Sequence, residues 1–151
     1  MTSIDLASRQ SHRLLQIGVA LFLFVTLQGL AIQNFAVPSL GRSAHTLSLS
    51  TGLLLVGLGL LWPRLTLGAA TLRLAFWFLA YSTLATIVAF LLAAIWGAGN
   101  SVIPLAAGVA HGSAAQEATI TVVLASTIPT GVVAFALILW GLRVAPADRA
   151  T

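Results

Sequence analysis

Residues 74–97 of the chain read LAFWFLAYSTLATIVAFLLAAIWG, an apolar segment without Asp, Glu, Lys or Arg. A helix needs about 20 such residues to cross the hydrocarbon core of a bilayer. Three further segments meet or approach this length and also lack these charged residues: 14–32, 44–62 and 118–142. The sequence therefore predicts an all-α integral membrane protein, a four-helix bundle that forms a single transmembrane domain over residues 1–151.

The composition supports this interpretation and excludes several classes of protein. Of the 151 residues, 59% are hydrophobic and 7% are charged, whereas a soluble domain carries about 25% charged residues. A chain this short cannot enclose so much apolar surface in a water-facing core. The net charge of +4 comes from scattered arginines without a basic run, so we expect no nucleic-acid partner. No cysteine is present, which excludes disulfides and thiolate chemistry.

The arginines predict the orientation of the bundle, because positive residues concentrate in short cytoplasmic segments. Arg42 is the one arginine in the loop between the first two spans, and the loop 98–117 has none. The other six fall in the two tails and in the loop 63–73: Arg9, Arg13, Arg64, Arg73, Arg143 and Arg149. We therefore expect both termini on the cytoplasmic side.

The three histidines occupy different settings. His12 lies in the N-terminal tail and His111 in an outer loop, whereas His45 is expected to begin the second span. An ionisable group at the membrane boundary is a functional candidate, although an interfacial histidine can also simply donate to a carbonyl or to water. Three residues follow His45 on the same helix face and leave room for a flat ligand; they are Ser48, Leu49 and Gly52.

Other polar residues of the spans have two interpretations each. Tyr81 and Thr86 in the third span can belong to a site, but small hydroxyl residues also hold membrane helices together. Gln116 and Glu117 stand at the mouth of the fourth span. A carboxylate at a helix N-terminus is stabilised by the helix dipole, so capping competes with a catalytic role. No paired nucleophile and base, zinc-ligand spacing or glycine-rich phosphate loop occurs.

Three stretches resemble one family of small bacterial membrane proteins, the hydroxylaminobenzene mutases, which convert arylhydroxylamines to 2-aminophenols. They are SAHTLSLSTGLLLVGLGLLWPRL at 43–65, LATIVAFLLAAIWGAG at 84–99 and AAQEATI at 114–120. The resemblance implies an isomerase of the bacterial inner (cytoplasmic) membrane, with several passes through it. It also implies a small apolar aromatic substrate that reaches the site from membrane lipid.

The chain is more distantly similar to styrene oxide isomerase, a trimeric four-helix membrane enzyme that binds haem b through a histidine at the start of its second span. That histidine corresponds to His45, so the resemblance implies haem b as cofactor, His45 as its iron ligand and a homo-oligomer, with a trimer as the expected form. Two asparagines of the family correspond to Thr51 and Thr86, and its active-site tyrosine falls near Phe90, which leaves Tyr81 as the candidate to replace it.

In the reaction that this resemblance implies, Thr51 and Thr86 orient the departing oxygen, while Gln116 and Glu117 close the outer mouth. An aryl epoxide that opens to a carbonyl compound is the second substrate that it allows. The competing interpretation is a non-catalytic four-helix membrane protein, either an assembly subunit or a small-molecule binder, because both expected asparagines are replaced.

Overall fold

A computed structural model describes residues 3–143 of the protein, and this part of the chain is entirely helical, without a strand. Two short 3-10 helices, Ile32–Asn34 and Trp62–Arg64, follow the first two long helices. The α-helices are α1 (Ser3–Ala31), α2 (Pro38–Leu61), α3 (Ala69–Trp96), α4 (Pro104–Ala107) and α5 (Ala114–Gly141). Four of them, α1, α2, α3 and α5, are long and apolar enough to cross a membrane. The prediction of an all-helical fold with four long apolar helices is confirmed in the described part of the chain.

The second helix begins earlier than predicted. Pro38 is its first residue, a position where the missing N–H of proline costs no hydrogen bond. Gly41 lies inside this helix and is covered by the ring of Phe35, which occupies the space of a Cβ. His45 therefore lies about two turns inside α2 and not at its start, so that prediction was wrong.

The long helices pack in the order α1, α2, α3, α5, and the most extensive contacts join α1 to α2 and α3 to α5. Glycine allows the first of these contacts to be close. A Cβ on Gly18 of α1 would lie 2.8 Å from the carbonyl oxygen of Gly52 and 2.7 Å from Cγ2 of Val56, both on α2. Small residues of this kind let two membrane helices approach each other backbone to backbone.

A buried tryptophan connects the helices at one end of the bundle. Trp62 is fully buried, donates from Nε1 to Oε1 of Gln10 at 3.0 Å, and meets the ring of Phe76 edge-on at 6.2 Å between centroids. The backbone N–H of Thr66 donates to the carbonyl oxygen of Gly141 at 2.8 Å. The start of α1, the connection between α2 and α3, and the end of α5 therefore share one end, as the arginine pattern requires.

The long connection 97–113 covers the opposite end. The N–H of Val37 donates to the carbonyl oxygen of Ala94 at 3.1 Å, which joins the start of α2 to the end of α3. The hydroxyl of Ser39 donates to the carbonyl oxygen of Ala106 in α4 at 2.7 Å. The connection thus lies over the first turns of α2, the same helix that carries His45.

Candidate functional site

His45 lies against the last part of α1. A Cβ on Gly29 would lie 3.4 Å from Cε1 and 3.9 Å from Nδ1 of the imidazole, so the absence of a side chain at Gly29 makes room for the ring. The residue is partly buried, and Nδ1 is enclosed without a hydrogen-bond partner. An unsatisfied buried polar atom costs about 1–3 kcal/mol and requires an explanation. The surroundings of this nitrogen mark His45 as the centre of the candidate site.

A second enclosed polar atom lies in the same contact between α1 and α2. Gln28 is 5% exposed, and its amide nitrogen Nε2 donates to the carbonyl oxygen of Gly41 at 3.2 Å. Its amide oxygen Oε1 has no partner. Gln28 Oε1 and His45 Nδ1 are the two enclosed side-chain polar atoms without a partner among residues 3–143.

The three residues predicted to lie on the same helix face as His45 differ in their burial and contacts. Leu49 is 45% exposed and remains open beside His45. Ser48 is fully buried and donates to the carbonyl oxygen of Ala44 at 2.7 Å. Gly52 lies against α1, where an added Cβ would be 3.1 Å from the carbonyl oxygen of Gly18. The expected open notch at Gly52 is therefore filled by α1 within one chain, because the two helices use this glycine for close approach.

An open cleft of about 590 Å³ runs along another face of α2, towards α3, and His45 is not among the residues that line it. Its volume is within the range of about 300–1,000 Å³ typical of small-molecule sites. Arg42 reaches this cleft three residues before His45, so both side chains lie on neighbouring strips of the helix. Hydroxyl groups dominate the α2 wall, and Phe90 of α3 forms the opposite side. The lining residues of this α2 cleft are Ser39, Arg42, Ser43, Thr46, Leu47, Ser50 and Phe90.

The predicted hydroxyl residues are not gathered around His45 in one chain. Thr51 is buried at 6% exposure, and Thr86 donates to the carbonyl oxygen of Ser82 at 2.6 Å. Thr86 precedes Phe90 by four residues and so lies on the same side of α3 as the α2 cleft. Tyr81 lies on the other side, because nine residues turn an α-helix by about 180°.

Tyr81 instead pairs with α5, where its hydroxyl lies 2.7 Å from that of Ser126. Within a single chain, Tyr81 therefore does not lie near Phe90, where the resemblance places the active-site tyrosine of the family. The residue that lines the cleft at this level is Phe90 itself, which has no hydroxyl group.

Gln116 and Glu117 organise the connection before α5. Ser113 and Gln116 form a reciprocal capping box, with the N–H of Ser113 donating to Gln116 Oε1 at 2.8 Å. Glu117 accepts from the N–H groups of Gly99 and Gly112 at 2.9 and 3.1 Å. It also accepts from the N–H and hydroxyl of Ser101 at 3.3 and 2.6 Å. This geometry favours the capping role for both side chains.

Several residues of the site were not predicted. In the sequence, Gln28 is recognisable only as an amide within an apolar span. The contribution of Gly29 has no sequence signal, because it depends on which helix packs beside His45. From the sequence, Arg42 was connected with the orientation of the bundle alone. No group of three His, Asp or Glu side chains that could hold a metal ion occurs within residues 3–143.

Comparison with known proteins gives the family. The profile of the styrene oxide isomerase family matches residues 10–143. Hydroxylaminobenzene mutase HabB of Ectopseudomonas oleovorans is 46% identical over 141 residues, 93% of this chain and 86% of the relative. Hydroxylaminobenzene mutase HabA of the same organism is 37% identical over 125 residues, 83% of this chain and 93% of the relative. No solved structure matches the chain significantly.

These matches cover the four long helices and the connection 97–113, and they set aside the non-catalytic interpretation of the fold. The chain belongs to the styrene oxide isomerase family and is an intramolecular isomerase, of the mutase kind.

Proposed function

We propose that the protein rearranges an arylhydroxylamine to a 2-aminophenol at a haem b held by His45. The observation that carries this proposal is the imidazole itself, whose Nδ1 is enclosed without a hydrogen-bond partner where Gly29 of α1 packs against the ring. The 46% identity to a hydroxylaminobenzene mutase supports the substrate class.

The residues present fit such a cofactor. His45 offers one imidazole, and a single histidine would be sufficient to hold haem iron. Leu49, one turn after His45, would provide apolar surface, while Arg42, three residues before it, would offer a cation for a carboxylate group. Bound haem iron would supply a Lewis acid that polarises an N–O or C–O bond without a change of redox state.

The rearrangement needs no second substrate. The N–O bond breaks, a C–O bond forms at the ortho carbon, that carbon loses its proton and the nitrogen gains one, so the molecular formula is unchanged. Water would capture an electron-poor aromatic intermediate, so the reaction needs the α2 cleft, which is open in a single chain, to be covered by a second copy of the chain. The hydroxyl of Thr86, one turn from Phe90, is the group that orients the departing oxygen, and Thr51 acts from the buried side of α2.

The site is proposed to lie in the bacterial inner membrane, with both termini cytoplasmic. The arginine distribution supports this orientation, since the start of α1, the end of α5 and the connection between α2 and α3 share one end of the bundle. A small apolar aromatic substrate partitions into lipid and enters the α2 cleft from the side. The active unit is proposed to be a homotrimer.

The test compares the wild type with His45→Ala and His111→Ala after purification in mild detergent from haem-replete cells. The wild type and His111→Ala should show a Soret band and convert hydroxylaminobenzene to 2-aminophenol. His45→Ala should lose the band and at least about 100-fold in activity, since the iron–imidazole bond fixes the cofactor. The matched control is His111, an exposed histidine before α5.

Two results would contradict the proposal. A wild type without haem that is nevertheless active would remove the cofactor from the reaction. Full haem content and full turnover in His45→Ala would remove the histidine from the site.

The second candidate substrate is an aryl epoxide, favoured by the match to the styrene oxide isomerase profile. The same preparations should therefore be given styrene oxide and assayed for the aldehyde. We expect slower conversion than with hydroxylaminobenzene, because the cleft has Phe90 near the position of the family tyrosine.

A further inference from the structure

The enclosed atoms of Gln28 and His45 have complementary chemistry. A neutral imidazole has one N–H donor and one acceptor nitrogen, and an amide has an oxygen acceptor and an NH₂ donor. The NH₂ of Gln28 must face Gly41, because the carbonyl oxygen there can only accept. Its oxygen is therefore left as an acceptor without a donor, in the same helix contact as a ring nitrogen without a partner.

The two side chains also lie at the same level of the contact. Gly41 precedes His45 by one helical turn, and Gly29, the next residue after Gln28, lies against the edge of the ring that carries Nδ1. Neither atom has another partner, so a hydrogen bond between them would satisfy both, either directly after rotation about the soft last torsion of Gln28 or through an enclosed water. A bridging water needs two or more polar partners, and this contact offers them.

We propose that Gln28 is the positioning residue of His45. Its amide oxygen accepts a hydrogen bond from the Nδ1–H group, which fixes the imidazole tautomer and leaves Nε2 unprotonated as the nitrogen that binds a metal. The value of this arrangement for iron binding rests on the proposed function, whereas the hydrogen bond itself does not.

The physical reason is general for metal-binding histidines. The hydrogen bond made by one ring nitrogen decides which nitrogen is protonated and how the ring is oriented. Loss of such a partner typically weakens metal affinity by about 10–100-fold. Without Gln28, the neutral ring of His45 would populate the Nε2–H tautomer, which has no lone pair on Nε2 for a metal.

A purely structural role for Gln28 is the alternative, since its NH₂ group already joins α1 to α2 through Gly41. The chain offers a matched control for that role. Gln10 is also on α1, is 4% exposed and holds Trp62 at the opposite end of the bundle. Gln10→Leu should lower stability as Gln28→Leu does, but it should leave the ring of His45 unchanged.

The experiment measures the tautomer by NMR on full-length protein with ¹⁵N-labelled histidine rings, made without haem and held at one pH where imidazole is neutral. His12→Gln and His111→Asn in the background leave one histidine signal. We expect the Nδ1–H tautomer in the parent protein and in Gln10→Leu, a shift towards Nε2–H in Gln28→Leu, and recovery of Nδ1–H in Gln28→Glu, which restores the acceptor oxygen. An unchanged tautomer in Gln28→Leu would overturn the proposal.

Haem binding supplies the second readout. Haem affinity should fall about 10–100-fold in Gln28→Leu, and the iron–histidine stretching frequency of the ferrous protein should shift, while Gln10→Leu should change neither. Parent protein that binds no haem would contradict the proposed function while the tautomer result stands. Parent protein that binds haem, with the same tautomer in Gln28→Leu, would contradict the positioning role alone.

Discussion

Glu117 lies in the first turn of α5, and among the described side chains it makes the most hydrogen bonds to the connection 97–113. Its two carboxylate oxygens accept from three backbone N–H groups and one hydroxyl, contributed by Gly99, Ser101 and Gly112. Backbone donors in a connection without regular structure need such acceptors, because each unsatisfied one costs free energy. The carboxylate thereby fastens both ends of the connection to the start of α5.

We expect Glu117→Ala to loosen this connection and to lower the free energy of unfolding by about 1–2 kcal/mol, the effect of losing hydrogen bonds to a charged group. Proteolytic cleavage between residues 100 and 112 should become faster. Glu117→Gln keeps one acceptor oxygen, so it should lie between Glu117→Ala and the parent protein in both measurements. Unchanged proteolysis together with complete loss of turnover in Glu117→Gln would instead favour a catalytic role.

At this scale the sequence shows residue types but not their partners. His45 could be selected because an imidazole is rare in an apolar span, and the capping function of Glu117 could be anticipated from its place at a helix start. The pairing of Gln28 with His45 could not, since it depends on the register between α1 and α2. Nor could the sequence show that Tyr81 faces Ser126 while Phe90 lines the α2 cleft.

At the scale of helices, the contact between α1 and α2 sets the position of the histidine. Gly18 and Gly52 meet near the middle of this contact, and Gly29 lies against His45 further along α1. Any side chain that separates the helices at Gly18 must also move Gly29 away from the imidazole. The small residues of this contact therefore affect both stability and the site.

Gly18→Ala tests this coupling. The added Cβ would lie 2.7 Å from Val56 Cγ2 and 2.8 Å from a backbone oxygen, so the helices must separate. We expect a loss of about 1–3 kcal/mol, typical of overpacking, together with a lower haem-to-protein ratio. Thermal unfolding in detergent and the Soret absorbance measure the two effects.

The control is Gly57→Ala on α2, where an added Cβ would have no neighbour within 4 Å. It should be neutral or slightly stabilising, because alanine favours a helix over glycine. Equal behaviour of Gly18→Ala and Gly57→Ala would show that close approach of α1 and α2 is not required.

The four long helices could be predicted from the sequence, but the residues at which they begin could not. Continuous apolar segments identify the four long helices because lipid demands such lengths. An apolar segment ends where polar residues begin, but the helix continues through those polar residues. For this reason α1 starts at Ser3 and α2 at Pro38. This difference moved His45 from the expected helix start to a position two turns inside α2.

Considered as a whole, the four long helices form an array with two outer members, α1 and α5, that make no extensive contact with each other. In the most apolar 18-residue stretch of each helix, only 17% of the residues of α5 and 39% of those of α3 are buried within the chain. Most of this exposed surface is apolar and suits lipid. One face of α2 is different, because it is polar.

The exposed polar face of α2 consists of Arg42, Thr46 and Ser50, spaced four residues apart and therefore aligned along one side. Polar side chains inside a membrane normally face a protein interior or a water-filled cavity and not lipid. This face adjoins His45 and forms a wall of the α2 cleft. A second copy of the chain that covers it would remove the polar groups from lipid and would enclose the cleft in one step.

We therefore expect the oligomer to form over this face, with a detergent-corrected mass of three 15.7 kDa chains. The absence of native cysteine makes the site of contact directly testable. Ser50→Cys should give covalent dimers on mild oxidation or with a short bifunctional reagent, since we expect the α2 faces of the three chains to meet around the three-fold axis, where identical residues come close together. Ala134→Cys, at a fully buried position, should give none. A monomeric mass with haem retained would show that one chain completes the site alone, and a trimer without Ser50 cross-links would place the contact on the apolar faces of α1 or α5.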